Sequence, residues 1–131
     1  MKIVVDTSVI IAVLFNEPIK PIVLELTTDT ILHAPASLHW EIGNALSAMF
    51  KQKRISLQQA EKAYKAYKQI PLKLEDVDIL KAIQVCHSQS IYAYDSYFIV
   101  CAQKLHAPLL TLDKSLSVAA SQSGIKLLEV K

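Results

Sequence analysis

Residues 2–12 read KIVVDTSVIIA, an apolar, β-branched run that stops at a carboxylate and resumes after two hydroxyl residues. Residues 3–5 are typical of a strand buried on both faces, as in a parallel sheet. Thr7 or Ser8 can cap the helix that we predict immediately afterwards. Asp6 would then lie at the carboxyl end of a strand, where open α/β sheets bind ligands.

Strands and helices alternate along the rest of the chain. Apolar runs predict strands over residues 31–34, 109–112 and 126–130. Apolar residues at helical spacing predict a helix around residues 19–26, and further helices over residues 37–51, 56–69, 75–88, 94–106 and 114–123. We therefore expect an α/β fold, a three-layer α/β/α sandwich around a central, mainly parallel sheet of four or five strands.

Length and composition indicate one globular domain over residues 1–131, since the chain is 52% hydrophobic and 20% charged. No uncharged apolar stretch reaches the roughly 18 residues of a membrane span, so we expect none. The first apolar run lacks a signal-peptide cleavage site, which favours the cytoplasm. Only two glycines are present, which excludes the P-loop and the dinucleotide-binding fingerprint. The histidines show no paired ligand spacing, which argues against a zinc site.

Three further acids occupy positions related to that of Asp6. Asp113 also follows a short apolar strand and precedes a helix, Asp95 lies in the first turn of a helix, and Glu41 borders the apolar stripe of its helix. Taken singly, they are a helix cap, a partner of the helix dipole and a solvated helix residue. Taken together they predict one site, because Asp6 and Asp113 on adjacent strands would share one end of the sheet.

Clustered carboxylates cannot all ionise at close range without a cation. Mg²⁺ and Mn²⁺ prefer oxygen ligands, and two such ions stabilise the attacking and leaving oxygens of a phosphodiester displacement. The net charge is +2, but setting four acids aside leaves fourteen Lys and Arg against eight acids, or +6 elsewhere. A mildly basic surface around an acidic site suits a polyanionic substrate.

Four segments resemble, in order, the acidic motifs of PIN-domain nucleases, and most specifically those of VapC-type toxins of type II toxin–antitoxin pairs. They are residues 5–8 (VDTS), 41–46 (EIGNAL), 94–97 (YDSY) and 110–114 (LTLDK). The resemblance implies a Mg²⁺- or Mn²⁺-dependent endoribonuclease. By this resemblance, Asp6 and Asp95 match the principal metal ligands of the family. Glu41 matches its second acid and Asp113 matches its fourth.

The same resemblance implies supporting residues and partners. Ser8 matches a hydroxyl that orients the first acid, and Asn44 and Thr111 match supporting polar positions. The implied partners are an RNA substrate, a second copy of the chain in a homodimer and a separate small antitoxin that inserts a segment into the shared groove. No membrane partner is implied.

The roles of several aromatic and basic residues can be interpreted in two ways. Trp40, next to Glu41, could line the groove or simply pack. Tyr64 and Tyr67 are expected to be core or dimer contacts. The lysines and arginine of residues 51–68 could guide RNA, although a solvated helix face explains them equally well.

Two other folds that carry out phosphoryl transfer are excluded, because the chain lacks acids that they require. A phosphoacceptor domain needs paired acids after the first strand, where Thr7 stands, and a haloacid-type phosphatase needs a second Asp where Ser8 stands. Two alternatives within the resemblance stay open. One is an RNA-processing PIN nuclease without an antitoxin, and the other is a catalytically silent PIN-like binding scaffold, against which the four intact acids argue.

Overall fold

The computed structural model describes residues 1–130, which form four strands and seven helices. The strands are β1 (Lys2–Val5), β2 (Ile31–Pro35), β3 (Leu72–Glu75) and β4 (Leu109–Leu110). The helices are α1 (Thr7–Leu14), α2 (Lys20–Thr27), α3 (Leu38–Lys51), α4 (Leu57–Tyr67), α5 (Ile79–Gln89), α6 (Ala93–Leu105) and α7 (Lys114–Gln122).

All four strands are parallel and lie in the order β3-β2-β1-β4, which places β1 in the interior of the sheet. Val4 pairs with His33 on one side and with Leu109 on the other. Helix α6 packs on the sheet and α5 packs against α6, whereas α1 contacts α2, α3 and α4. The predicted α/β sandwich around a parallel sheet is confirmed.

The buried part of β1 fixes the position of Asp6. Ile3, Val4 and Val5 are fully buried, as the unbroken apolar run predicts. Burying each such side chain stabilises the fold by about 1.5–3 kcal/mol. The carboxyl end of β1, and the acid that follows it, are therefore held in the buried core of the molecule.

Strand β3 lies where we had predicted the start of a helix at residue 75, and that prediction is wrong. Leu72–Glu75 pairs with β2 in parallel register, and α5 begins only at Ile79, with Asp78 as its N-cap. The strand forms the edge of the sheet and none of its residues is fully buried. Charged residues are usual at an edge, so the segment lacks the apolar pattern that marks an interior strand.

The fifth strand that we had predicted over residues 126–130 is reduced to one bridge between Leu109 and Leu127. Strand β4 contains only Leu109 and Leu110 of the strand predicted over residues 109–112, and the Thr111 side chain that follows it donates to Asp6. The sheet described here therefore has four strands. None of the helices formed by residues 1–130 combines the length and hydropathy needed to cross a membrane.

Candidate active site

Each of the four predicted acids lies at the N-terminal end of a helix. Asp6 is the N-cap of α1 and Asp113 is the N-cap of α7. Glu41 and Asp95 lie in the first turns of α3 and α6. The positive end of a helix dipole favours a carboxylate at each of these positions, which offsets part of the cost of holding acids together.

Asp6 is buried, with 4% of its surface exposed, and both of its carboxylate oxygens accept hydrogen bonds. Oδ1 accepts from the Ser8 hydroxyl at 2.7 Å and from the Val9 backbone N–H at 3.2 Å. Oδ2 accepts from the Thr111 hydroxyl at 2.6 Å. The expected capping role of Thr7 or Ser8 is therefore wrong, because the extended backbone of Asp6 directs its own carboxylate onto the helix end.

Two of the three predicted supporting residues contact the site directly. The Ser8 hydroxyl accepts from the Leu112 backbone N–H and the Thr111 hydroxyl accepts from the Asp113 backbone N–H, both at 3.0 Å. These hydroxyls orient Asp6 and tie the loop after β4 to the end of β1. Asn44 instead lies exposed on α3, and its side chain makes no hydrogen bond within residues 1–130.

Glu41 is held by two hydroxyls that sequence reasoning did not assign to it. Thr7 donates to Oε1 and Ser37 donates to Oε2, each at 3.3 Å. Burial raises the pKa of Glu41 to about 7, and repulsion from Asp95 and Asp6 adds to the shift against the effect of these hydrogen bonds. Ser37 stands four residues before Glu41, a helical spacing that could have revealed it.

The charges of the four acids act on one another. Burial raises the pKa of Asp6, and the charge of Asp113 adds to it, whereas Ser8, Thr111 and the Val9 N–H oppose the shift. Burial and the charge of Asp113 also raise the pKa of Asp95. Because Glu41 responds to both Asp6 and Asp95, every one of the four acids is electrostatically linked to at least two others.

No cationic side chain neutralises this group within residues 1–130, where the ion pairs are those of Glu75 with His33 and Lys104. As they stand, no three His, Cys, Asp or Glu side chains of the described chain are close enough to share one metal ion. The charges of the acids nevertheless repel one another. Their all-oxygen donor set fits a hard divalent cation such as Mg²⁺ or Mn²⁺.

The raised pKa of Glu41 predicts how the metal-free protein responds to pH. The folded protein keeps this proton up to about pH 7, whereas the unfolded chain releases it near the ordinary value of 4.5. The folded state thus binds more protons in this interval, so the free energy of unfolding falls as pH rises. Glu41→Gln removes this contribution. In the presence of a chelator, the melting temperature of Glu41→Gln should exceed that of the wild type, and the difference should grow between about pH 5 and pH 8.

Thermal unfolding followed by circular dichroism measures this difference. Glu61→Gln, which removes one carboxylate at an exposed position of α4, is the matched control. A difference for Glu41→Gln that stays constant with pH would show that Glu41 ionises in the folded protein as it does in the unfolded chain.

The sequence model of the PIN domain matches residues 3–121 of this chain. This range contains all four acids and their hydroxyl partners. No curated protein is significantly similar to the chain.

Three solved structures share the fold at low sequence identity. PAE2754 from Pyrobaculum aerophilum has a TM-score of 0.70 at 19% identity, covering 91% of this chain and 87% of that one. VapBC2 from Rickettsia felis, solved with a DNA fragment from its promoter, has a TM-score of 0.67 at 15% identity and 98% coverage of both chains. VapC20 from Mycobacterium tuberculosis, a sarcin-ricin loop cleaving toxin, has a TM-score of 0.62 at 15% identity, covering 89% and 94%.

Proposed function

The chain belongs to the PIN-domain family, and on this premise we propose that it is a Mg²⁺- or Mn²⁺-dependent endoribonuclease that hydrolyses phosphodiester bonds in RNA. The observation that carries the proposal is that the buried Asp6 carboxylate has no cationic partner. Both of its oxygens accept hydrogen bonds and the charge of Asp113 repels it, yet no cationic side chain of the described residues pairs with it. A divalent cation relieves that repulsion.

Asp6 and Asp95 would hold the cation, with Glu41 and Asp113 completing the acidic site. When bound, a divalent ion supplies Lewis-acid activation of water and stabilises the charge that develops on the phosphate. Ser8 and Thr111 fix the orientation of the Asp6 carboxylate, because each donates to a different oxygen. Such outer hydrogen bonds hold a ligand in place before the substrate arrives.

We further propose that the protein is the toxin of a toxin–antitoxin pair, acts in the cytoplasm and forms a homodimer. The likeness in fold to VapBC2 and to the toxin VapC20 supports this role. In this proposal, a small cognate antitoxin inhibits the nuclease by binding beside the acidic site. The alternative of an RNA-processing nuclease would need no such partner.

Expression of the chain alone should slow bacterial growth, and co-expression of the product of the neighbouring gene should relieve the effect. RNA from the slowed cells should carry new cut ends that primer extension can map. Asp6→Asn should abolish both effects, because it removes a proposed metal ligand. Normal growth together with cut RNA would favour the processing role, whereas intact RNA in slowed cells would contradict the nuclease.

A further inference from the structure

Strand β3 forms an edge of the sheet, and its outer side has no partner strand within residues 1–130. Along a strand, successive residues direct their backbone N–H and C=O groups to alternate sides. Glu75 directs its groups toward β2, because its carbonyl accepts from the Ala36 N–H at 2.8 Å. Leu74, the residue before it, therefore directs both of its backbone groups outward, where they can pair with another strand.

The two faces of β3 carry different side chains, because successive residues of a strand point to opposite faces. Lys73 and Glu75 lie on one face, where the Glu75 carboxylate is 3.8 Å from the ammonium group of Lys104 on α6. Leu72 and Leu74 lie on the other face and line a cavity of about 140 Å³. Leu74 is 45% exposed, so an apolar side chain lies at the free edge with open space beside it.

The charges of β3 select one register for antiparallel pairing with a second copy of the same strand. With Leu74 opposite Leu74 of the second copy, Lys73 of each copy lies opposite Glu75 of the other. A shift of two residues in one direction would place Lys73 opposite Lys73, and a shift in the other direction would place Glu75 opposite Glu75. Opposite charges at directly opposed positions stabilise a strand pair, whereas like charges destabilise it.

The backbone of β3 fits the same register. At a hydrogen-bonded position of an antiparallel pair, the two opposed residues exchange both N–H···O=C bonds, with their Cα atoms about 5.5 Å apart. Leu74 presents both of its groups outward, as this position requires. Lys73 and Glu75 then occupy the alternate positions, where Cα atoms approach to about 4.5 Å and side chains lie closer together. Charge pattern and backbone direction therefore agree on a single arrangement.

We propose that β3 is a self-association surface, through which two copies of the chain join their sheets with the β3 strands antiparallel and Leu74 on the twofold axis. The inference goes beyond the proposed nuclease function and does not depend on it. A lysine on an edge strand discourages pairing with unrelated strands, whereas a second copy supplies the acid that matches Lys73. The strand is complementary to itself, which favours a second copy over another protein.

This contact differs from the shared groove that the resemblance implies. The four strands of each copy are parallel to one another, and β3 runs in the opposite direction in the second copy. The joined sheet therefore has eight strands, with the carboxyl ends of the two sets at opposite ends. The two acidic sites lie far apart in this assembly, and each opens separately to its surroundings.

Hydrogen exchange of the Leu74 amide, followed by NMR, measures the contact directly. This N–H faces solvent in a single copy and is hydrogen-bonded in the pair, so its exchange should slow as the protein concentration rises. The N–H of Gly124, bonded to the Ser121 carbonyl in the turn after α7, is the internal reference. Its exchange should not depend on concentration.

Sedimentation velocity then compares variants. Leu74→Pro removes the outward N–H and should abolish this association, while the chain stays folded because proline is tolerated where the N–H of an edge strand faces solvent. Lys73→Glu opposes like charges at two positions and should weaken the association on the order of 10-fold, whereas Lys73→Arg should retain it. Leu80→Asp is the matched control, because it alters a different exposed apolar surface, on α5, and should leave the Leu74 amide protected.

Exchange of the Leu74 amide that is independent of concentration would overturn the proposal. So would a self-associated protein whose mass Leu74→Pro leaves unchanged, or loss of the Leu74 protection in Leu80→Asp, which would assign the contact to α5. None of these measurements uses RNA or a metal ion. A chain that pairs through β3 without cleaving RNA therefore defeats the nuclease alone, and a monomeric chain that cleaves RNA defeats this inference and leaves the nuclease standing.

Discussion

Asp6→Asn is expected to reduce Mg²⁺-dependent RNA cleavage at least about 100-fold, because loss of a ligand should exceed the 10- to 100-fold effect of losing an outer hydrogen-bond partner. The fold should survive. Asparagine is as good an N-cap as aspartate, so its side-chain oxygen can still accept from the Val9 N–H. Its amide can donate to the Thr111 hydroxyl, whose position stays the same.

Initial rates on a single-stranded RNA, measured with Mg²⁺ or Mn²⁺ and again with excess chelator, give the effect directly. Chelation should stop the wild-type enzyme. Asp78→Asn is the matched control, because Asp78 also caps a helix through its carboxylate but lies outside the acidic site. Undiminished metal-dependent cleavage by Asp6→Asn would remove this residue from the proposed metal site.

Thr111→Val should lower activity at limiting Mg²⁺ about 10- to 100-fold, with partial recovery when Mg²⁺ is raised. Valine has the shape of threonine but loses the donor to Asp6 Oδ2 and the acceptor for the Asp113 N–H. The Asp6 carboxylate would then be held through Oδ1 alone, and the loop that carries Asp113 would lose an anchor. The cost should appear as weaker metal binding rather than as a changed substrate preference.

Titration of the cleavage rate with Mg²⁺ separates these effects, and thermal unfolding confirms that the variant is folded. Thr111→Ser retains the hydroxyl and should keep most of the activity. If serine and valine variants lose activity equally, the methyl group of Thr111 matters through packing, and the proposed orienting role of its hydroxyl is incorrect.

The interior of the fold could be predicted from the sequence, because a strand buried on both faces consists of apolar residues. The run of residues 3–5 predicts an interior strand, and the acid that ends it predicts where ligands bind. Strand β3 left no such mark, since its four residues, LKLE, form no apolar run and an edge strand needs none. Strand β3 forms by pairing with β2, and the local sequence does not indicate this distant partner.

The four acids of the candidate site could be selected from the sequence, but part of what holds them in place could not. Ser8 and Thr111 were identified only through the resemblance to the PIN family. Thr7 contacts Glu41 across 34 positions of the chain, a separation at which no local pattern can indicate a partner. Trp40 is 71% exposed because no other segment within residues 1–130 packs over its side chain, and local sequence cannot indicate this.

The bond between Asp6 and Thr111 joins residues 105 positions apart in the chain. Asp6, Glu41 and Asp95 precede Thr111 and Asp113 in the chain, so a growing polypeptide lacks both the hydroxyl that binds Asp6 Oδ2 and the fourth acid until the segment after β4 has been made. The ribonuclease proposed above would therefore have an incomplete acidic site, and would spare the messenger that encodes it, until that segment has been synthesised.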